Sequence, residues 1–388
     1  MGIPAELKPL IAQVRQQYPQ LKDAPDEVVA KLIMQALAAQ QGAALPQNPD
    51  EADLEKMSAE ECAAYGEQLM NTGQWQAAER FFFAALEKGE QANDLNIRCL
   101  AASALGRLCR QRGDFPQAMT LLQQALGLAE RQGDHRQMSV IYDDIGSTYR
   151  RQGQYSQAIE YFRKGLEIDE IAGNERDLAV DYGNLGNVYM QQGDFDRAIQ
   201  AFQNANTLHL KLGIEANAAK DYGNLGTVFD LQGRYDQALD MHQKCLEIML
   251  RLGNQQGVAQ SYGSLGNILS ALGDLDAAQR MYQKALETFT RIGDEPHTAM
   301  IYGNLAVVYQ QKSEVARALE YYDKSLKIAE RIGDRHNAAK MYFNLATLYH
   351  GLGERAQARA HYEKAKALYE IVGNASDAQK AARALREL

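Results

Sequence analysis

Asparagines recurring at a fixed spacing are the residues of this sequence best suited to do chemistry. Asn184, Asn224, Asn304 and Asn344 stand at multiples of 40 residues, with Ser264 in the remaining place and Asp144 one step earlier. Asn187 and Asn267 begin a second row three residues further on. An asparagine amide is both donor and acceptor, so a row of them can pair with successive peptide groups of an extended polypeptide. A second set is cationic: Arg107, Arg110, Arg150 and Arg151 cluster early, while Lys220 and Lys340 share one later position. Such groups suit the carboxylates of an acidic or C-terminal segment, although solvated helix charge accounts for them equally well. Catalysis finds no comparable foothold. The seven histidines are scattered, with no His-Glu-x-x-His spacing and no matching cysteine pair, so no metal, cofactor or enzymatic activity is expected.

The elements that carry these residues follow from the same repetition. Tyr182-Gly183-Asn184-Leu185-Gly186 returns as Tyr222-Gly223-Asn224-Leu225-Gly226, as Tyr262-Gly263-Ser264-Leu265-Gly266, and in weaker form at Tyr142, Tyr302 and Tyr342. A fixed period in this range is the mark of a stacked-repeat protein. Each unit reads as two helices. In one of them the first runs from near Leu178 to about Gln192, Gly193 turns the chain, Asp194 caps the second, and Gly213 ends it. With Tyr182 as origin and about 100° per residue, Leu185, Gly186 and Tyr189 share the buried face, and Asn184 and Asn187 point away from it. Ala198 with Phe202, and their equivalents in the other units, read as close-packed core. Asparagine costs roughly 0.6 kcal/mol relative to alanine inside a helix, which argues that its recurrence brings a benefit. The alternative is that these amides only face water and repeat through duplication. Gly183, Gly223, Gly263 and Gly303 each cost about 1 kcal/mol mid-helix, and close packing of a neighbouring helix is the reading adopted for them.

Composition narrows the class. The chain has 388 residues and a formal net charge of −9, against the basic footprint of a nucleic-acid binder. No apolar run reaches membrane-spanning length, and the start carries no signal sequence, so a cytoplasmic protein is expected. Cys62, Cys99, Cys109 and Cys245 sit in helical patterns and read as buried free thiols. Prolines concentrate before residue 50, where 4–18 and 26–41 look like short helices. The domain boundaries expected are an N-terminal helical segment over 1–41, a linker over 42–57, a repeat array over 58–378 and the remainder of a C-terminal capping helix over 379–388. Ser58-Ala59-Glu60-Glu61 fits a capping box that starts the first repeat helix. Asn93 replaces glycine at one turn, and Ser313, Val315 and Arg355 depart from the turn pattern, so looser stacking is expected in the last two units.

The pattern Tyr-x-x-Leu-Gly-x-x-Tyr, then glycine, an aromatic, and Ala-x-x-x-Phe-x-x-Ala, resembles the tetratricopeptide repeat. The 40-residue period with Gly-Asn-Leu-Gly is similar to the Leu-Gly-Asn-repeat adaptors and, more loosely, to kinesin light chain. The resemblance implies an all-α, right-handed α-solenoid of about eight helix pairs. In that family the face away from the second helices lines a concave groove for partner peptides, which would place the asparagine row in it. The expectation is therefore a non-enzymatic adaptor gripping a protein segment. Two alternatives stand beside it: a peptide-sensing regulator with residues 1–50 as its output, and a self-assembling scaffold.

Overall fold

The computed structural model describes residues 51–388. The helices expected over 4–18 and 26–41, and the linker as far as residue 50, lie outside the described residues. Glu51–Lys56, the far end of that linker, is a short helix, α1. All described secondary structure is helical, and the chain divides into two compact units that meet at Thr148 and Tyr149.

The first unit contains α1, α2 (Ala59–Asn71), α3 (Trp75–Gln91), α4 (Leu95–Arg112), α5 (Phe115–Gln132) and most of α6 (His135–Arg151). The capping box is formed as expected: Ser58 Oγ accepts from the Glu61 N–H at 3.1 Å, and Glu61 Oε2 accepts from the Ser58 N–H at 2.7 Å. Phe82, Leu105 and Leu122 are fully buried in this unit, beside Cys62 and Cys109. All four cysteines of the chain are buried and free.

The second unit begins in the last turn of α6 and continues through α7 (Tyr155–Ala172), α8 (Glu175–Gln192), α9 (Phe195–Lys211), α10 (Glu215–Leu231) and α11 (Tyr235–Arg251). It goes on through α12 (Gln255–Ala271), α13 (Leu275–Ile292), α14 (Glu295–Gln311), α15 (Val315–Ile332), α16 (Arg335–Gly351), α17 (Arg355–Ile371) and α18 (Ala375–Glu387). From α8 onward the helices stack as pairs, each packed on the next.

Local chemistry sets every boundary. Gly193 takes φ +78°, and the Asp194 N–H reaches back to the Tyr189 carbonyl at 2.9 Å. The Asp194 side chain then accepts the Arg197 N–H at 3.2 Å and opens α9. Left-handed backbone favours glycine because it has no Cβ to clash. Asn93 holds the same conformation at φ +52°, as its short amide side chain allows. Ser313 is forced into it at φ +62°, and α14 and α15 still pack as closely within their pair as the other pairs do, while α15 meets the following α16 over less surface than the earlier units meet one another.

Helix contact depends on one more glycine. A Cβ on Gly186 would lie 2.7 Å from the ring of Phe202, which is fully buried. Burying such a ring contributes about 1.5–3 kcal/mol, and only a bare Cα lets it approach so closely. The neighbouring glycines behave otherwise. Met341 fills the space over Gly303, but nothing lies within 4 Å of a Cβ on Gly183, and over Gly223 only Cys245 Sγ is met, at 3.8 Å. The packing expected at that position therefore holds at Gly303, while Gly183 opens to space. At the far end α18 buries Ala378 and Ala381 and exposes Lys380, Arg383 and Arg386, the polar face a stack needs to finish.

Candidate functional site

Helices α8, α10, α12, α14 and α16 present the same helical positions along one face of the second unit. Asn184, Asn224, Ser264, Asn304 and Asn344 are all half-buried there. Asn184, Asn224 and Asn344 have amides with no hydrogen-bond partner among the described residues. Asn304 Nδ2 donates to Asn267 Oδ1 at 3.1 Å, and the same oxygen accepts from the Tyr282 hydroxyl at 2.7 Å. Asn187 Nδ2 donates to the Gly183 carbonyl of its own helix at 2.9 Å. The second row is thus engaged internally, which spacing along the chain could not reveal.

The cationic set divides in the same way. Arg110 Nη1 donates to Asp144 Oδ1 at 2.9 Å and to its carbonyl at 2.8 Å, and Arg107 Nε lies 3.8 Å from Asp144 Oδ2. Asp144 is buried, so these two guanidinium groups neutralise a carboxylate of their own unit. This corrects the reading of Asp144 as a member of the exposed row and of Arg107 and Arg110 as free cations. Arg150 and Arg151 also have partners within the protein. Lys220 and Lys340 are exposed.

A cavity of about 390 Å³ opens on this face. Lys220 and Asn224 from α10, Ser264 and Asn267 from α12, and Asn304 from α14 form its polar wall. Volumes of roughly 300–1,000 Å³ are typical of clefts that hold a ligand. His242, Cys245 and Met249 of α11 and Phe289 of α13 line it more deeply, none of them marked out by the repeat pattern as a functional residue. The signal that could have found His242 is its place in a column otherwise filled by Phe82, Leu122, Phe162, Phe202 and three tyrosines. Burial pushes the His242 pKa down to about 4, leaving a neutral imidazole at neutral pH.

One buried histidine–carboxylate contact stands next to Lys220 in the chain. His209 Nδ1 lies 2.6 Å from Asp221 Oδ2, both residues being buried between α9 and α10. Desolvation raises the Asp221 pKa to about 6, against the lowering effect of the His209 hydrogen bond. Among the described residues no group of three or more His, Cys, Asp or Glu is placed to hold a metal ion. No helix there is long and apolar enough to cross a membrane.

The sequence profile described as "Tetratricopeptide repeat" matches residues 98–171, 177–251, 218–291, 257–330 and 297–371, together more than half of the chain. The chain belongs to the tetratricopeptide-repeat family. Solved structures agree on the fold of this tetratricopeptide-repeat protein. The apo form of the quorum sensor NprR from B. thuringiensis matches with a TM-score of 0.62 at 15% identity, covering 95% of this chain and 99% of that one. A signal-transduction ATPase with a tetratricopeptide-repeat sensor from Pyrococcus horikoshii matches at 0.66 and 18%, covering 83% and 50%. A Rap protein complexed with Competence and Sporulation Factor matches at 0.53 and 15%, covering 86% and 97%. No curated protein sequence matches the chain. As a tetratricopeptide-repeat protein it has a fold of protein–protein interaction.

Proposed function

We propose that this protein is a non-enzymatic cytoplasmic scaffold that grips an extended segment of a partner polypeptide along the asparagine face of its second unit. The observation that carries this reading is the row of amides at Asn184, Asn224 and Asn344, without partners among the described residues, beside helix surface left bare by Gly183 and Gly223. An amide held half-buried without a partner is an offer of two hydrogen bonds, and a missing Cβ lets another backbone come close. A Rap protein of this fold is seen with Competence and Sporulation Factor, and NprR is described as a quorum sensor, which supports a bound factor as the role of the face. Lys220 and Lys340 favour an acidic segment, since Arg107 and Arg110 are taken up by Asp144.

The test is selection of a displayed random-peptide library against the full chain, followed by calorimetry on the peptides recovered. Asn184→Ala with Asn224→Ala removes two amide grips at about 1 kcal/mol each, a loss of about thirtyfold in affinity. Unchanged affinity with unchanged helicity would remove the amide row from the account.

A further inference from the structure

In an array built from one repeated unit, a specific site shows as a place where several units' rules are broken together. Four such breaks line the cavity on the asparagine face. His242 replaces the Phe, Leu or Tyr found at that position in the other units. Cys245 stands where the others have Ala, Gly or Ser, and Gly257 where every other unit has a side chain. Ser264 interrupts the asparagine row. The smaller ring of His242 leaves space that Phe202 and Tyr282 fill in the neighbouring units, while Met249 takes up the room over Gly257.

The polar groups deep in this space are nearly all committed. Ser261 Oγ donates to the Gly257 carbonyl at 2.8 Å and lies 3.4 Å from Cys245 Sγ. His297 Nδ1 is 2.8 Å from both Asp294 carboxylate oxygens, and its ring stacks on Phe289 at 4.8 Å and 12°. The exception is His242. It is only 5% exposed, it lines the cavity, and no hydrogen bond reaches its imidazole from the described residues. A buried polar group left this way calls for a partner from outside.

We propose that this cavity receives one aromatic side chain of the bound segment, its ring against the exposed Met300 and its polar edge on His242. The assignment rests on the peptide-gripping role proposed above and adds to it the residue that is chosen. The alternatives fail on chemistry. An aliphatic side chain would leave the imidazole unsatisfied, and a charged one would lose its hydration beside Cys245, Met249 and Met300. Tyrosine and tryptophan join a large flat apolar body to a single hydrogen-bonding edge. Asn224, which lines the cavity, would hold the backbone that carries the ring.

Two substitutions close the cavity without threatening the fold. His242→Phe restores the residue that Phe162 and Phe202 already place in this column. Gly223→Leu puts a side chain into the space, its Cβ meeting only Cys245 Sγ at 3.8 Å. Gly127→Leu on α5, also in open space and not lining the cavity, is the control.

The first probe is 4-fluorophenol, followed by ligand-observed fluorine NMR on the full-length protein. Broadening with the wild type and with Gly127→Leu, lost in His242→Phe and Gly223→Leu, is the expected result. The second is the displayed peptide library. Selected peptides should share one aromatic residue at a fixed place, and its replacement by alanine, like His242→Phe, should weaken binding about tenfold or more. Peptides that need Asn184 and Asn224 yet show no fixed aromatic, or bind His242→Phe equally well, overturn the pocket and leave the amide row standing. Fluorophenol binding with no peptide selected also overturns the proposal, because the occupant is then not a polypeptide. Neither probe binding overturns both readings.

Discussion

Replacing His242 by phenylalanine should flatten part of the acid limb of this protein's stability. The imidazole is 5% exposed, and its burial lowers its pKa from an ordinary 6.5 to about 4. Below pH 6.5 the unfolded chain therefore binds a proton that the folded chain refuses. The stability associated with this group is whole above about pH 6.5 and is lost as the pH falls towards 4. A gap of about 2.5 between the two pKa values, at about 1.4 kcal/mol for each, amounts to about 3 kcal/mol across the window. Phenylalanine has no proton to bind, so the variant escapes the loss. Above pH 7 it should be no less stable than the wild type, since Phe202 fills the same place beneath Gly186 in another repeat. Urea unfolding followed by far-ultraviolet circular dichroism, repeated from pH 7 to pH 4, gives both curves. Their difference should grow by a few kcal/mol towards acid, other titrating groups being common to both. Parallel curves across that range would refute a buried, neutral His242.

Asp221→Asn should produce a pH effect of opposite sign. Burial raises the Asp221 pKa to about 6, so the stability from its proton is whole below about pH 3.8 and lost as the pH rises through about 6. The same urea titration should show Asp221→Asn gaining on the wild type between pH 4 and pH 6, and no relative gain would refute it. Gly186→Ala should destabilise by about 1 kcal/mol in thermal or urea melts. The clash with Phe202 costs about 1–3 kcal/mol, and alanine's helix preference returns about 1. Gly183→Ala, with open space around it, should instead stabilise by up to about 1 kcal/mol, and equal effects at the two sites would contradict the packing described. Ser313→Gly should raise stability by about 1 kcal/mol by relieving a left-handed serine at φ +62°, and a fall in the melting midpoint would count against strain there.

The repeat was legible in the sequence because its instructions are local. Glycine at Gly193 and Gly213, Asp194 as a cap, and the Ala198–Phe202 spacing each act within a turn or two of chain, so the helix pairs could be read residue by residue. The site was legible only in part. Asn184, Asn224 and Asn344 are half-buried on one face of the second unit with no hydrogen-bond partner among the described residues, and Lys220 is exposed beside the cavity. Arg107, Arg110 and Asn267 looked equally available, and their engagement with Asp144, Asn304 and Tyr282 appears only in three dimensions.

The sequence by itself determined the all-helical repeat, its turns and caps, and the column each residue occupies, since helical periodicity and positive backbone angles are decided among near neighbours in the chain. Tertiary structure alone decided which polar side chains are used up and where space is left over. Arg110 meets Asp144 across 34 residues, Asn304 meets Asn267 across 37, and the cavity draws its walls from α10 through α14. Hydrogen bonds and volumes shared between helices depend on the sum of several side chains at once, and no single repeat carries that sum.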